Sequence, residues 1–145
     1  MLFAKTLKKK LKNTQLFWTI AKPLLSRWYS RKLDQLPPLI VIESTNMCNL
    51  KCPACPTTTT MQRRKGNMKF SFFKTLIDEF VANNYRPKIF LNFSGEPTIN
   101  RELPEFIKYA TDRNFWVHLS TNVTYMTEEL STKIINSGLS HVYLC

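Results

Sequence analysis

Apolar positions along residues 39–145 switch repeatedly between two periods. Leu39-Ile40-Val41-Ile42 is a continuous, largely β-branched run, as expected of a strand buried on both faces of a parallel sheet. Phe73, Leu76, Ile77, Phe80 and Val81 then recur at helical spacing, with Ser71 placed to cap the helix that carries them. The alternation repeats. Residues 88–93 read as a strand, 104–113 as a helix with Leu103, Phe106, Ile107 and Ala110 on one face, and 115–120 as a strand. Thr127 caps a third helix, with Glu128 and Glu129 in the first turn where the dipole favours acids, and Gly138 ends it. His141-Val142-Tyr143-Leu144-Cys145 begins a fourth strand. Strands alternating with amphipathic helices predict βαβ units, so the expected fold class is α/β with a parallel sheet. Residues 57–69, polar and basic, read as a long loop, and Pro37-Pro38 as a linker.

Composition changes the picture at the N-terminus. The chain has 145 residues and a net charge of +11, and 43% hydrophobic content is enough for one packed domain. Residues 1–35 hold nine Lys/Arg against the single acid Asp34. Leu7, Leu11, Trp18 and Leu25 form an apolar stripe among those lysines, broken at Pro23. The expected organisation is a basic amphipathic helical arm over 1–36 and a β/α domain over 37–145. Such an arm suits a membrane surface or an acidic partner; its plain alternative is a helix packed on the domain with a solvated basic face. Nucleic acid ranks below these, because no stacking-aromatic RNA motif or DNA-reading helix signature is present. The most apolar arm segment, residues 16–21, is closed by Lys22, short of an export signal and of the roughly 20 residues that span a bilayer. The expected compartment is the cytosol, with the arm suited to the membrane's inner face. Thiols there stay reduced and available to metal.

The chemistry points to Cys48, Cys52 and Cys55, which follow the first strand with the spacing C-x3-C-x2-C. A structural zinc takes four ligands and a closed 4Fe-4S cluster four cysteines. Three thiolates would leave one iron open to a substrate or cofactor. The competing readings are zinc with Cys145 or a histidine as fourth ligand, and a saturated electron-transfer cluster using Cys145. His118 and His141 fall in strands and read as packing or surface residues.

The cysteine run, Ser94-Gly95-Glu96-Pro97 after the second strand, and Ser120-Thr121-Asn122 ending the third together resemble the radical S-adenosylmethionine (radical SAM) superfamily. The resemblance runs from about Leu39 to Cys145. It implies a parallel partial (β/α) barrel of radical SAM type, here truncated after about four strands, and hence a partial gene product complete at Met1. It implies a 4Fe-4S cluster on Cys48, Cys52 and Cys55, with S-adenosyl-L-methionine at the open iron. Reductive cleavage would give a 5′-deoxyadenosyl radical that abstracts hydrogen from a substrate the sequence does not identify. An electron donor such as flavodoxin or ferredoxin is the implied partner. Glu96 would accept from the cofactor's amino group, where a structural salt bridge is the alternative, with the backbone of Ser94 and Gly95 close by. Ser120, Thr121 and Asn122 would face ribose or carboxylate, and Cys145 would stand near the cofactor. Three positions depart from the family pattern: Ser94 for a glycine, Ala54 for an aromatic residue, and Val123 for the glycine after Thr-Asn. A non-catalytic α/β fragment with a basic binding arm is the other function class.

Overall fold

In a computed structural model, the described residues are Pro23 and 36–145. The chain divides into two compact units, Met1–Leu36 and Pro37–Cys145. The expected helical arm, with its stripe of Leu7, Leu11, Trp18 and Leu25, lies outside the described residues. No helix among the described residues is long and apolar enough to cross a membrane.

Within Pro37–Cys145 the order is β1 (Leu39–Val41), α1 (Pro56–Thr59), α2 (Phe70–Ala82), β2 (Lys88–Phe90), a 3-10 turn (Pro97–Ile99), α3 (Leu103–Thr111), β3 (Val117–Thr121), α4 (Glu128–Asn136) and β4 (His141–Leu144). The strands form one parallel sheet in sequence order. Parallel neighbours need crossover connections, and α2, α3 and α4 supply them. The register sets Ile40 beside Ile89 and Ile89 beside Val117 on one face. On the other face Val41, Phe90, His118 and His141 lie in a row.

Among the described residues, helices cover only the first of these faces. Ile89, Leu91, Val117 and Leu119 are fully buried against Phe73 and Ile77 of α2 and Leu103, Phe106, Ile107 and Ala110 of α3. The opposite face leaves Leu39, Val41 and Trp116 exposed. It also carries a run of stacked rings, with Trp116, His118 and His141 near-parallel at 5.1–6.1 Å. Burial, and then the neighbouring His141, lower the pKa of His118. The two imidazoles share a contact at Nδ1, 2.9 Å apart.

Several expectations are corrected here. β1 is not buried on both faces, because it is an edge strand and only one sheet face is covered by described helices; Val41 is 47% exposed. Ser71 is not the cap of α2, which starts one residue earlier with Lys69 at the N-cap and no side-chain capping bond. The segment 57–69 is not all loop, since α1 occupies its start, with Cys55 at the N-cap and Pro56 in the first turn. The second strand is shorter than 88–93; pairing persists through Leu91, whose N–H bonds the His118 carbonyl, and Phe93 is exposed. Thr127 does cap α4, its hydroxyl accepting from the Leu130 amide, and Gly138 takes φ +80 just beyond the helix end.

Phe106 is fully buried and stacks on Phe73 with ring centroids 4.5 Å apart. Phe106→Ala should cost about 3–5 kcal/mol in urea unfolding, the range for deleting a packed aromatic ring; a loss under 1 kcal/mol would mean that α3 is not anchored through this ring.

Candidate cofactor site at the strand ends

The cysteine loop is a closed excursion from β1. Its two ends are pinned together: Thr45 bridges Asn67 in antiparallel fashion, the Met68 amide donates to the Ser44 carbonyl at 2.8 Å, and the Gly66 amide donates to Asn46 Oδ1 at 2.7 Å. Asn46 Nδ2 returns a bond to the Arg64 carbonyl at 2.9 Å. Asn100, fully buried, adds a donor to the Ser44 carbonyl at 3.1 Å. This neck takes up the backbone polarity of a buried segment, and residues 47–63 project from it.

Cys48 and Cys55 are half-buried and Cys52 is exposed. The Cys55 amide donates to the Cys52 carbonyl at 3.1 Å, a turn that α1 continues. Hydrogen bonding from the Thr57 hydroxyl, then from the Thr57 and Thr58 amides at the start of α1, lowers the Cys55 thiol from its ordinary value. That hydroxyl has one proton and a second acceptor in reach, the Ser94 carbonyl of the next loop. Among the described residues no three His, Cys, Asp or Glu side chains converge as a metal-holding group; the thiols are spread along the loop. The donor set is sulfur alone, which suits iron-sulfur or zinc chemistry and disfavours hard cations.

Glu96 knots the rim together. It is 3% exposed, and four donors face its carboxylate. Oε1 accepts from the Thr98 amide at 3.1 Å and from the Thr98 and Thr121 hydroxyls at 2.6 Å each, while Oε2 accepts from the Asn122 amide at 2.7 Å. Its own amide donates to the Met47 carbonyl at 2.8 Å, one residue before Cys48. Gly95 makes that approach possible, since a Cβ there would lie 2.2 Å from the Thr45 carbonyl oxygen and 2.7 Å from that of Met47. Ser94 closes the same loop through its amide, which donates to Glu43 Oε1 at 3.1 Å, and Glu43 is held by Arg63 at 2.6 Å.

The loop after β3 reaches the cysteines directly. Asn122 Nδ2 lies 3.9 Å from Cys48 Sγ and donates to Asn49 Oδ1 at 3.1 Å, and Asn49 Nδ2 donates to the Thr124 hydroxyl at 2.7 Å. Asn122 Oδ1 is committed to Thr124, and the Thr121 hydroxyl proton to Glu96. Ser120 Oγ and Cys145 Sγ, 3.8 Å apart, are less committed; the thiol also meets the Thr121 carbonyl at 3.3 Å. Val123 adopts φ 55, a left-handed conformation that a β-branched residue takes only under strain. The structure thus brings Cys48, Cys55, Ser94, Gly95, Glu96, Thr121 and Asn122 into one bonded network, with Ser120 and Cys145 adjoining and Cys52 on the exposed side. Thr57, Thr98, Asn49, Thr124 and the Glu43–Arg63 pair belong to it too. Sequence reading missed them, because short polar side chains between strands carry no periodic signal; Thr98, two residues past Glu96 and beside Pro97, reads as ordinary loop.

A profile of the radical SAM superfamily matches residues 42–144. Fe-coproporphyrin III synthase of Methanosarcina barkeri is 31% identical over 105 residues, covering 72% of this chain and 26% of that protein. PqqA peptide cyclase of Bradyrhizobium diazoefficiens is 27% identical over 110 residues, covering 75% and 28%. The chain therefore spans roughly a quarter of the length of these relatives. Among solved structures, BtrN in complex with AdoMet and 2-DOIA superposes with a TM-score of 0.69 at 23% identity, over 76% of this chain and 46% of that one. That likeness fixes the fold as the radical SAM type of parallel β/α sheet.

Two substitutions test the network. Glu96→Gln sets an amide donor against the Asn122 amide or the three donors at Oε1, and should cost about 1–3 kcal/mol in urea unfolding, with faster hydrogen exchange at Asn122; unchanged exchange there would show that the carboxylate does not hold the loop. Val123→Gly should raise stability by up to about 1 kcal/mol, because left-handed strain of about 1–2 kcal/mol exceeds the added chain entropy of glycine, about 0.5–1 kcal/mol. A lower unfolding midpoint would mean that the valine side chain contributes more packing than its backbone costs.

Proposed function

The chain belongs to the radical SAM superfamily, and on that premise we propose that Cys48, Cys52 and Cys55 hold a 4Fe-4S cluster whose fourth iron binds S-adenosyl-L-methionine. The observation that carries this reading is the bonded rim, where an all-sulfur donor loop is tied to the loops after β2 and β3 through Glu96, Gly95 and Asn122. The cluster and its ligand would supply reductive cleavage of a carbon–sulfur bond to a radical able to abstract hydrogen. The protein residues position and shield. Cys55, at the N-cap of α1, sits where nearby amides favour a thiolate. Glu96 acts first by fixing the loops, and Oε2, with a single donor from this chain, is the atom left for the cofactor's ammonium group. Ser120 and Cys145 keep polar atoms for ribose or carboxylate, whereas the Thr121 hydroxyl is spent on Glu96. Asn122, within reach of Cys48, orients the first thiolate. Ser94 and Gly95 contribute backbone beside the cysteine loop. The proposed cellular setting is the cytosol, with a one-electron donor protein as partner.

The test is anaerobic reconstitution followed by iron, sulfide and zinc analysis and an electron paramagnetic resonance spectrum of the reduced chain. About four irons per chain and a spectrum that shifts with S-adenosylmethionine are expected. Serine at Cys48, Cys52 or Cys55 should abolish the signal, and Cys145→Ser should preserve it. Stoichiometric zinc in place of iron, or loss of iron in Cys145→Ser, would falsify the open-site reading.

A further inference from the structure

Charge within the β/α domain is segregated toward the cysteine loop. Between Glu43 and Asp78 no acidic residue occurs, yet Lys51, Arg63, Arg64, Lys65, Lys69 and Lys74 do. Two of these are matched: Arg63 by Glu43 at 2.6 Å and Lys74 by Asp78 at 2.5 Å. Lys51, Arg64, Lys65 and Lys69 are exposed and form no ion pair among the described residues. Two further acids border the area, and neither neutralises it. Glu43 is taken by Arg63, and the Glu102 carboxylate sits at the Phe70 amide, 3.4 Å away.

Arg64, Lys65 and Lys69 line an open cleft of about 680 Å³ with Asn46 and Phe72. Phe72 is 63% exposed and Leu50, beside Lys51 on the cysteine loop, 39%. An exposed aromatic side chain sharing a cleft with unpaired cations suits a transient docking face, which combines apolar contact with charge. The bonds that close the neck, from Asn46 Nδ2 to the Arg64 carbonyl and from the Gly66 amide to Asn46 Oδ1, anchor the start of this strip at the base of the cysteine loop.

We propose that the basic strip of Arg64, Lys65 and Lys69, with Phe72 in the same cleft, docks the acidic one-electron donor protein that reduces the cluster. The inference rests on the cluster reading above and assigns its partner a surface. Opposite charge steers such an encounter, raising association rates by roughly 10–10³-fold and falling away as salt shortens the Debye length. The step transfers one electron: the donor's flavin hydroquinone is oxidised to its semiquinone, and the cluster is reduced by that electron.

The experiment follows anaerobic reduction of the reconstituted chain by stopped-flow absorbance, with photoreduced flavodoxin as the protein donor and photoreduced deazaflavin as a small one. The variant is Arg64→Glu/Lys65→Glu/Lys69→Glu, with Arg64→Gln/Lys65→Gln/Lys69→Gln as a milder second variant, both checked for fold by circular dichroism and for iron content. At low salt the charge reversal should slow reduction by flavodoxin about tenfold or more, the neutral variant should fall between, and the difference should close at high salt. Deazaflavin should reduce all three chains alike. Flavodoxin rates equal in all three overturn the docking assignment alone. A wild-type chain that deazaflavin cannot reduce removes the cluster reading and this assignment with it. Loss of binding to phosphatidylserine vesicles in the charge-reversed chain, with an unchanged flavodoxin rate, would make the strip a membrane face and overturn the donor assignment.

Discussion

A buried carboxylate with four donors is the constraint on which this site depends. Hidden at 3% exposure, Glu96 would be costly without partners. Its partners come from the Thr98 turn and from the loop that ends β3. Those two loops cannot move apart without leaving a buried charge short of hydrogen bonds, a loss of about 1–3 kcal/mol for each unsatisfied group. The Glu96 amide, bonded to the Met47 carbonyl, brings the third loop into the same arrangement. The rim is therefore assembled by one side chain and its own backbone, and the sheet beneath supplies only the starting points.

Gly95 and the neck of the cysteine loop extend this constraint to the thiols. A side chain at position 95 would collide with backbone at Thr45 and Met47, so the approach of the two loops is a backbone-to-backbone contact that no rotamer change could relieve. On the far side, Asn46 and Asn100 bond the backbone of Ser44, Arg64, Gly66 and Met68. The cysteines between these fixed points are half-buried or exposed, while Ser44, Thr45, Asn46 and Asn100 at the base are buried.

The alternation of helical and strand periods identified the order of elements, because burial on one face of the sheet imposes both periods on the apolar residues; Ile89, Leu91, Val117 and Leu119 show it plainly. It misjudged β1, whose apolar run Leu39–Val41 looked doubly buried. A run without polar alternation reports apolar character on both faces, and nothing in it tells whether the second face is covered. The cysteines stood out by their spacing and Gly95-Glu96 by resemblance to a family pattern, and the structure places both on one rim. The role of Glu96 as a structural knot was not legible, since its donors Thr121 and Asn122 come from 25 and 26 residues away. Val123 stood out as a departure from the family's glycine, and its φ of 55 shows why glycine suits that place.

Relatives whose names describe different reactions each match this chain over roughly a quarter of their own length. The part they share with it is therefore not what sets those named reactions apart, and the bonded groups of the rim described above serve chiefly to hold loops together. The features with room to differ lie elsewhere, on the sheet face that no described helix covers, with Phe90, Trp116, His118 and His141, and on the basic strip next to the neck of the cysteine loop. Their chemistries point in different directions. Stacked aromatic and imidazole rings favour flat, weakly polar surfaces, whereas unpaired lysines and arginines favour acidic ones. A flat, weakly polar ligand on the ring-bearing face and an acidic protein on the basic strip would therefore meet different residues of this chain.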